Sequence, residues 1–132
     1  MIRVGFFNSQ TQASTRDSAL QSQKINLKDL PPSLRSFIRK YPEVWTAHER
    51  LGVECARAGP LTSKEIQLIK IAVTASLRLE TPFKTHVQKA IRAKATKGEV
   101  EHTIIQMLPI VGIGRTMIAM KWYSEAMQKS RK

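Results

Sequence analysis

Apolar residues recur at steps of three and four along most of this chain beyond residue 30. Such steps place side chains on one face of an α-helix. After Leu30-Pro31-Pro32 a helix is predicted from Ser33 to Lys40, and Tyr41-Pro42 ends it. The next helix carries an apolar stripe and closes at Gly59-Pro60. The stripe consists of Val44, Ala47, Leu51, Cys55 and Ala58.

Further helices have start signals of their own. A threonine followed three residues later by a glutamate forms a capping box, in which each side chain satisfies a backbone amide. The two capping boxes are Thr62 with Glu65 and Thr96 with Glu99. Thr81-Pro82 is expected to open a helix between them, with the threonine as cap and the proline in the first helical position. After a turn at Gly112-Ile113-Gly114, a last helix is predicted from Arg115 to Gln128.

These signals predict an all-α fold: a compact helical domain of about six helices over residues 30–132. Strand patterns are absent from that range. Residues 1–29 are predicted to be a flexible arm, because Ser, Thr and Gln dominate the segment from Asn8 to Lys28 and few large apolar side chains could offset the entropy of ordering it. Arg3, Arg16 and the serines leave a transit peptide as an alternative, although Asp17 argues against it.

The predicted helix from Ile66 to Leu77 is apolar on nearly every side. Its polar positions form one narrow line, consisting of Ser63, Gln67, Lys70, Thr74 and Arg78. A helix of this kind is central in its domain or is buried against another subunit. We therefore expect a homo-oligomer.

Composition narrows the class of protein. The 132 residues are 42% hydrophobic, which suits one globular domain. The single cysteine, Cys55, excludes an internal disulfide, and it is expected to pack as a small core residue. One cysteine and the lack of a secretory signal pattern predict a cytoplasmic protein. No run of about 18 apolar residues would span a membrane.

The formal net charge of +12 favours anionic partners. Residues 61–132 hold 13 basic and 5 acidic side chains, net +8, so most of the excess belongs to the predicted helices. Three interpretations stay open: a generally solvated basic surface, a site for small carboxylates, and contact with nucleic acid.

One stretch resembles a known family. Leu79-Glu80-Thr81-Pro82-Phe83-Lys84-Thr85-His86, followed by Ala95-Thr96-Lys97-Gly98-Glu99-Val100, is similar to the carboxymuconolactone decarboxylase and alkylhydroperoxidase-D-like family. The resemblance implies the helical fold, a trimer or a hexamer built from trimers, and chemistry without an organic cofactor or metal.

The peroxidase branch of that family has a Cys-x-x-Cys-x-x-x-His arrangement and a glutamate on the preceding helix. Here Leu79 and Pro82 stand at the cysteine positions and Gln67 stands at the glutamate position. Because thiol chemistry needs a thiolate, thiol peroxidase activity is predicted to be absent.

The decarboxylase branch also lacks the cysteines and keeps a histidine at the position of His86. In that branch a lactone that bears carboxylates loses carbon dioxide, which needs a proton donor and neutralisation of charge. The resemblance makes His86 the candidate catalytic residue. The candidates for binding a small anionic substrate are Gln67, Lys70, Thr74, Arg78, Lys84 and Arg115.

Two alternatives compete with this interpretation. His86 lies beside small apolar residues and could be a hydrogen-bonded core group without catalytic use. The chain could also be a lapsed member of the family, serving as an interaction or nucleic-acid-binding module. The basic side chains that favour the module are Lys84, Lys89, Arg92, Lys94 and Lys97. No aromatic residue is interleaved with them, so stacking on single strands is not expected there.

Overall fold

The computed structural model describes residues 26–131, and every regular element among them is helical. A single 3-10 turn at Leu27–Asp29 precedes seven α-helices. They are α1 (Pro32–Lys40), α2 (Pro42–Arg57), α3 (Ser63–Ser76), α4 (Glu80–Arg92), α5 (Lys97–Ile105), the short α6 (Leu108–Val111) and α7 (Ile113–Lys129). The predicted all-α class is confirmed. None of these helices is long and apolar enough to cross a membrane.

The chain divides into two compact units, Met1–Ala58 and Gly59–Lys132. Residues 1–25 of the predicted arm lie outside the described residues. The last part of the arm includes the turn at Leu27–Asp29, where the Asn26 side chain accepts a hydrogen bond from the Lys28 amide, and its flexibility stays a prediction. The single helical domain from residue 30 to residue 132 stays a prediction.

The second unit has a well-formed apolar core. Its largest fully buried side chains come from three helices. They are Ile71 of α3, Phe83 and Val87 of α4, and Val100 and Ile104 of α5. Helix α7 adds Ala119, Tyr123 and Ala126, and the Trp122 ring lies 5.8 Å from the Phe83 ring. Helix α4 therefore packs against α3 on one side and α7 on the other.

Both predicted capping boxes are present. The Thr62 hydroxyl accepts from the Glu65 amide at 3.2 Å, and the Glu65 carboxylate accepts from the Thr62 amide at 2.8 Å. The same pair of bonds joins Thr96 and Glu99. The Glu99 carboxylate also accepts a hydrogen bond from Nζ of Lys64 at 2.8 Å, and this ion pair joins the start of α5 to the start of α3.

The predicted start of α4 at Thr81-Pro82 was wrong. The helix begins at Glu80, and its cap residue is Leu79, whose side chain makes no capping bond. Proline is tolerated in the third position of α4 because the first-turn amides have no acceptor within a helix. The last helix also begins earlier than predicted, at Ile113, directly after Gly112 with φ of 87°. Only glycine takes this backbone conformation at little cost.

Two basic residues end helices in the left-handed conformation. Arg78 (φ 59°) follows α3 and Lys94 (φ 70°) follows α4. The Lys94 amide donates to the Ile91 carbonyl and the Ala95 amide donates to the Ala90 carbonyl, and the same bonds recur around Arg78. This is the Schellman motif, in which glycine is the usual left-handed residue.

The apolar stripe of α2 does not form a core as expected. Cys55, predicted to pack as a core residue, is exposed, and Val44 and Leu51 are 56% and 61% exposed. No residue of α1 or α2 is buried. The three- and four-residue spacing correctly predicts one apolar face, but it cannot say whether a neighbouring element covers that face.

We predict that Lys94→Gly stabilises the protein by about 0.5 to 1 kcal/mol, because glycine removes the left-handed strain while its extra chain entropy offsets part of the gain. Urea unfolding followed by circular dichroism measures the change. Ala93→Gly is the matched control, since Ala93 has φ of −81° and should lose stability. Destabilisation by Lys94→Gly would contradict this account of the α4 end.

Candidate functional site

A hydrogen bond between a histidine and a glutamine joins α3 to α4. Nδ1 of His86 lies 2.9 Å from Oε1 of Gln67. An amide oxygen can only accept, so this bond places the proton of the neutral ring on Nδ1 and leaves the Nε2 lone pair available. Gln67 is 5% exposed, whereas His86 is half-buried and retains access to solvent.

The helix hairpin brings these two side chains together. On α3, Gln67 shares the buried face with Ile71, and on α4, His86 stands next to the fully buried Val87. The connection between the helices is only three residues long, so α4 folds straight back along α3. His86 consequently lies at the edge of the α3–α4 contact, not at its centre.

Burial lowers the pKa of His86 from 6.5 to about 4, with smaller contributions from the positive charges of Lys89 and Lys70. Removing the ring from water disfavours its charged form, and two nearby cations do the same. At neutral pH the ring is therefore uncharged. It accepts a hydrogen bond or a proton through Nε2, and it is not a proton donor until something raises its pKa.

Lys70 and Lys89 flank the pair on opposite sides. Lys70 stands one helical turn after Gln67 on α3, and Lys89 stands one turn after His86 on α4. Because the two helices run in opposite directions, equal steps along them lead away from the pair in opposite directions. Lys70 was a predicted binding residue. The sequence analysis named Lys89 only among the basic side chains. Its position three residues after His86 puts the two side chains on the same side of α4, and this spacing could have identified Lys89 as a residue of the site.

Two other predicted binding residues, Thr74 and Arg78, are placed differently. The Thr74 hydroxyl donates within its own helix, to the carbonyls of Lys70 at 2.7 Å and Ile71 at 3.2 Å, and Thr74 is buried. Arg78 is exposed in the turn after α3. Within the predicted polar line of α3, Gln67 and Thr74 are buried and Arg78 is exposed.

The remaining two predicted residues hold helices together. Nζ of Lys84 pairs with Glu80 at 2.8 Å and with Glu125 at 2.7 Å, which links α4 to α7. Both bonds raise the pKa of Lys84 and keep it charged. Arg115 donates from Nη1 to the Ser76 carbonyl at 2.9 Å and so closes the last turn of α3. Both cations therefore already have partners that join helices.

No metal cluster accompanies the pair: residues 26–131 contain no group of three or more His, Cys, Asp or Glu side chains placed to hold an ion. An open surface depression lies elsewhere, lined by polar side chains of α1.

The family model of the carboxymuconolactone decarboxylase family matches residues 40–125, which covers α2 to α6 and most of α7 and includes both Gln67 and His86. This chain belongs to that family. The same comparison bears out the resemblance of the His86 segment. No curated protein matched the sequence.

The family resemblance includes a histidine at the position of His86, but it does not include a glutamine at the position of Gln67. The family resemblance puts Leu79 and Pro82 at the positions of the peroxidase cysteines; neither carries a thiol, and both are exposed. Gln67 stands where that branch has a glutamate. An amide has the size of a carboxylate but carries no charge, so His86 lacks the neighbouring anion that would raise its pKa.

We predict that His86 makes stability depend on pH between about 4 and 6.5. The folded-state pKa of about 4 lies below the ordinary value of 6.5, so the unfolded chain takes up a proton first as pH falls. Stability should decline from pH 6.5 to pH 4, by at most about 3 kcal/mol because the ring is partly exposed, and this term should level off below pH 4.

The measurement is urea unfolding across that pH range with His86→Gln, which should flatten the decline. His102→Gln is the matched control, since His102 is exposed on α5. An equal pH dependence in the parent and in His86→Gln would show that other groups cause the decline.

Proposed function

We propose that this protein binds a small carboxylate or lactone anion beside His86 and, like carboxymuconolactone decarboxylases, acts as a lyase without a cofactor and without thiol peroxidase activity. The hydrogen bond from His86 to Gln67 carries the proposal, because it holds the proton of the neutral ring on Nδ1 and leaves Nε2 free at the edge of the helix hairpin. The single cysteine supports a cytoplasmic location as part of the proposal.

The charges around His86 suit an anionic substrate. Burial is the main cause of the low pKa of His86, and the charges of Lys89 and Lys70 add to it; a carboxylate between these lysines would offset their charges and would itself favour the charged ring. The ring could then take a proton from solvent and hold it on Nε2. In a decarboxylation the bond to the carboxylate carbon breaks, carbon dioxide leaves, and the electron pair stays on the substrate. The proton on Nε2 would then go to the substrate carbon.

A lapsed family member that serves as an interaction or nucleic-acid-binding module is the second candidate. One observation favours it: Lys84 and Arg115, two of the predicted substrate-binding cations, are engaged in structural bonds. Arg92, Lys94 and Lys97 are exposed around the turn between α4 and α5, where they could meet phosphates.

Self-association is a further part of the proposal. Ile69, Val73 and Leu77 follow each other at four-residue steps along α3 and are 49%, 50% and 63% exposed. This stripe is next to Lys70 on the same helix, so a second copy that covered it would border the His86 site. We propose a trimer or a hexamer, as the family resemblance implies.

We predict that light scattering gives a mass about three or six times the 14.9 kDa of one chain. Val73→Asp should shift the protein toward the monomer, because it places a charge in the stripe. Ser124→Asp, at an exposed position of α7, is the control. A parent protein that stayed monomeric at micromolar concentration would rule out self-association through this surface.

We predict that His86→Ala and Lys70→Ala each lose the response to anionic ligands. A thermal-shift screen of small carboxylates and lactones should identify a ligand that stabilises the parent protein. His86→Ala should cost no more than about 1 to 2 kcal/mol of stability, since one hydrogen bond is lost and the half-buried ring leaves space that water can reach.

His102→Ala and Lys97→Ala are matched controls, because both residues are exposed on α5. They should keep the ligand response of the parent. Unchanged responses in His86→Ala and Lys70→Ala, or loss of folding in His86→Ala, would assign the pair a structural role.

A further inference from the structure

Helix α2 carries an apolar stripe that residues 26–131 leave exposed. Val44 and Leu51 are 56% and 61% exposed, and Cys55, one turn after Leu51, is exposed as well. Tyr41, three residues before Val44, is 45% exposed and extends the stripe by one turn. From Tyr41 to Cys55 the stripe runs for about 21 Å along the helix axis. An exposed apolar surface of this length indicates an interaction site.

A cyclic trimer needs two different surfaces on every copy. Each copy meets its two neighbours through opposite sides of one heterologous contact, so a surface that packs only on itself does not close a ring of three. The stripe of Ile69, Val73 and Leu77 on α3 is one exposed apolar surface. The stripe of α2 is available as its complement in the next copy.

The charges around the two stripes are complementary. Helix α2 has three acidic and two basic side chains, which leaves a net charge of −1. They are Glu43, Glu49, Glu54, Arg50 and Arg57. Residues 61–132 have a net charge of +8 from 13 basic and 5 acidic side chains, and Lys70 borders the α3 stripe. Opposite net charges favour the approach of α2 to the α3 surface of another copy.

A third exposed apolar surface, around α6 and the start of α7, fits the α3 stripe less well. Ile110, Ile113 and Met117 are 84%, 62% and 56% exposed. The sequence from residue 102 to residue 124 contains no acidic side chain, and its charged residues are Arg115 and Lys121. Packing this surface on α3 of another copy would bring positive charges toward Lys70, which opposes the contact.

We propose that the α2 stripe of one copy packs against the α3 stripe of the next copy. This contact rests on the self-association proposed above and names the two surfaces that form it. Each copy would cover α3 of one neighbour with its own α2 and would receive α2 of the other neighbour, which closes a ring of three. Because Lys70 stands beside the α3 stripe, the α2 helix of the neighbour would also border the His86 site.

A second copy fits the α2 stripe better than a membrane surface. Helices that lie on anionic membranes have lysine and arginine on their polar face, whereas α2 has more acidic than basic side chains. An unrelated partner protein would leave the purified chain monomeric, and cover by α3 of the same chain would place both stripes within one molecule. The experiments below separate these cases from the proposed contact.

The first test uses Cys55, the single cysteine of the chain, as a reporter on the α2 stripe. A second chain carries Cys55→Ser with Val73→Cys, which moves the thiol to the α3 stripe, and a tag makes the two chains separable by mass. The chains are mixed and oxidised with copper phenanthroline. The mixed disulfide should exceed the disulfide dimer of either chain by at least about fivefold, since thiols held in contact have a high effective concentration.

The matched control chain carries Cys55→Ser with Ile110→Cys, which places the thiol on the third apolar surface. Its mixed disulfide with the parent should stay at the level of random collision. The proposal is overturned if this control cross-links as readily, or if Cys55 of the parent pairs with its own copy as readily. Val73→Cys alone, which keeps Cys55, would also overturn it by forming a disulfide within one chain and none between chains.

The second test asks whether two damaged surfaces complement each other. Leu51→Asp damages the α2 stripe and Val73→Asp damages the α3 stripe, and each variant alone should be a monomer by light scattering. An equimolar mixture should form a dimer of twice the 14.9 kDa of one chain, because one intact α2 stripe and one intact α3 stripe remain. Val44→Asp mixed with Leu51→Asp is the matched control and should stay monomeric, since both chains lack an intact α2 stripe.

The outcomes separate this contact from self-association in general. A trimeric or hexameric parent whose Leu51→Asp and Val73→Asp variants stay monomeric when mixed would overturn the contact between α2 and α3 and leave self-association in place. A monomeric parent would overturn both. Circular dichroism of each variant checks that the helices remain.

Discussion

The packing of α4 against α3 is the contact on which the candidate site depends. Phe83 and Val87 of α4 and Ile71 of α3 are fully buried, so the two helices cannot rotate about their axes without exposing large apolar side chains. This fixed orientation sets the distance between Gln67 and His86. The hydrogen bond of the site is therefore a consequence of apolar packing, and it adds direction to a contact that is already formed.

Positive charge is the second constraint on this fold. The second unit has far more basic than acidic side chains, and two of its five glutamates join helices. Glu99 connects α5 to Lys64 of α3, while Glu125 connects α7 to Lys84 of α4. The pKa values of both carboxyl groups are lowered, in each case chiefly by the lysine that donates to them. Lys70 and Lys89 have a different effect, since their charges oppose protonation of His86.

Local signals in the sequence were sufficient for most of the fold. The capping boxes at Thr62 and Thr96 depend on residues three positions apart, so they are readable without tertiary information. The start of α4 was missed because it follows directly from the Schellman motif around Arg78, where a basic residue takes the usual place of glycine. The exposure of Cys55 was missed for another reason, since periodicity shows that a face is apolar but not what covers it.

The site was only partly predictable from the sequence, because local patterns do not show which distant residues a side chain contacts. The family resemblance indicated His86 and Gln67, but the long side chains of Lys84 and Arg115 reach partners about 40 residues away in sequence, and no local pattern shows that choice. The residues around His86 also determine its protonation state. Burial, with the two lysines nearby, holds His86 neutral, and Gln67 supplies no negative charge against them, so an anion that enters the site would favour protonation of the ring. Substrate binding and proton uptake would then be one coupled event, and the ligand's own charge would prepare the acid that the proposed reaction requires.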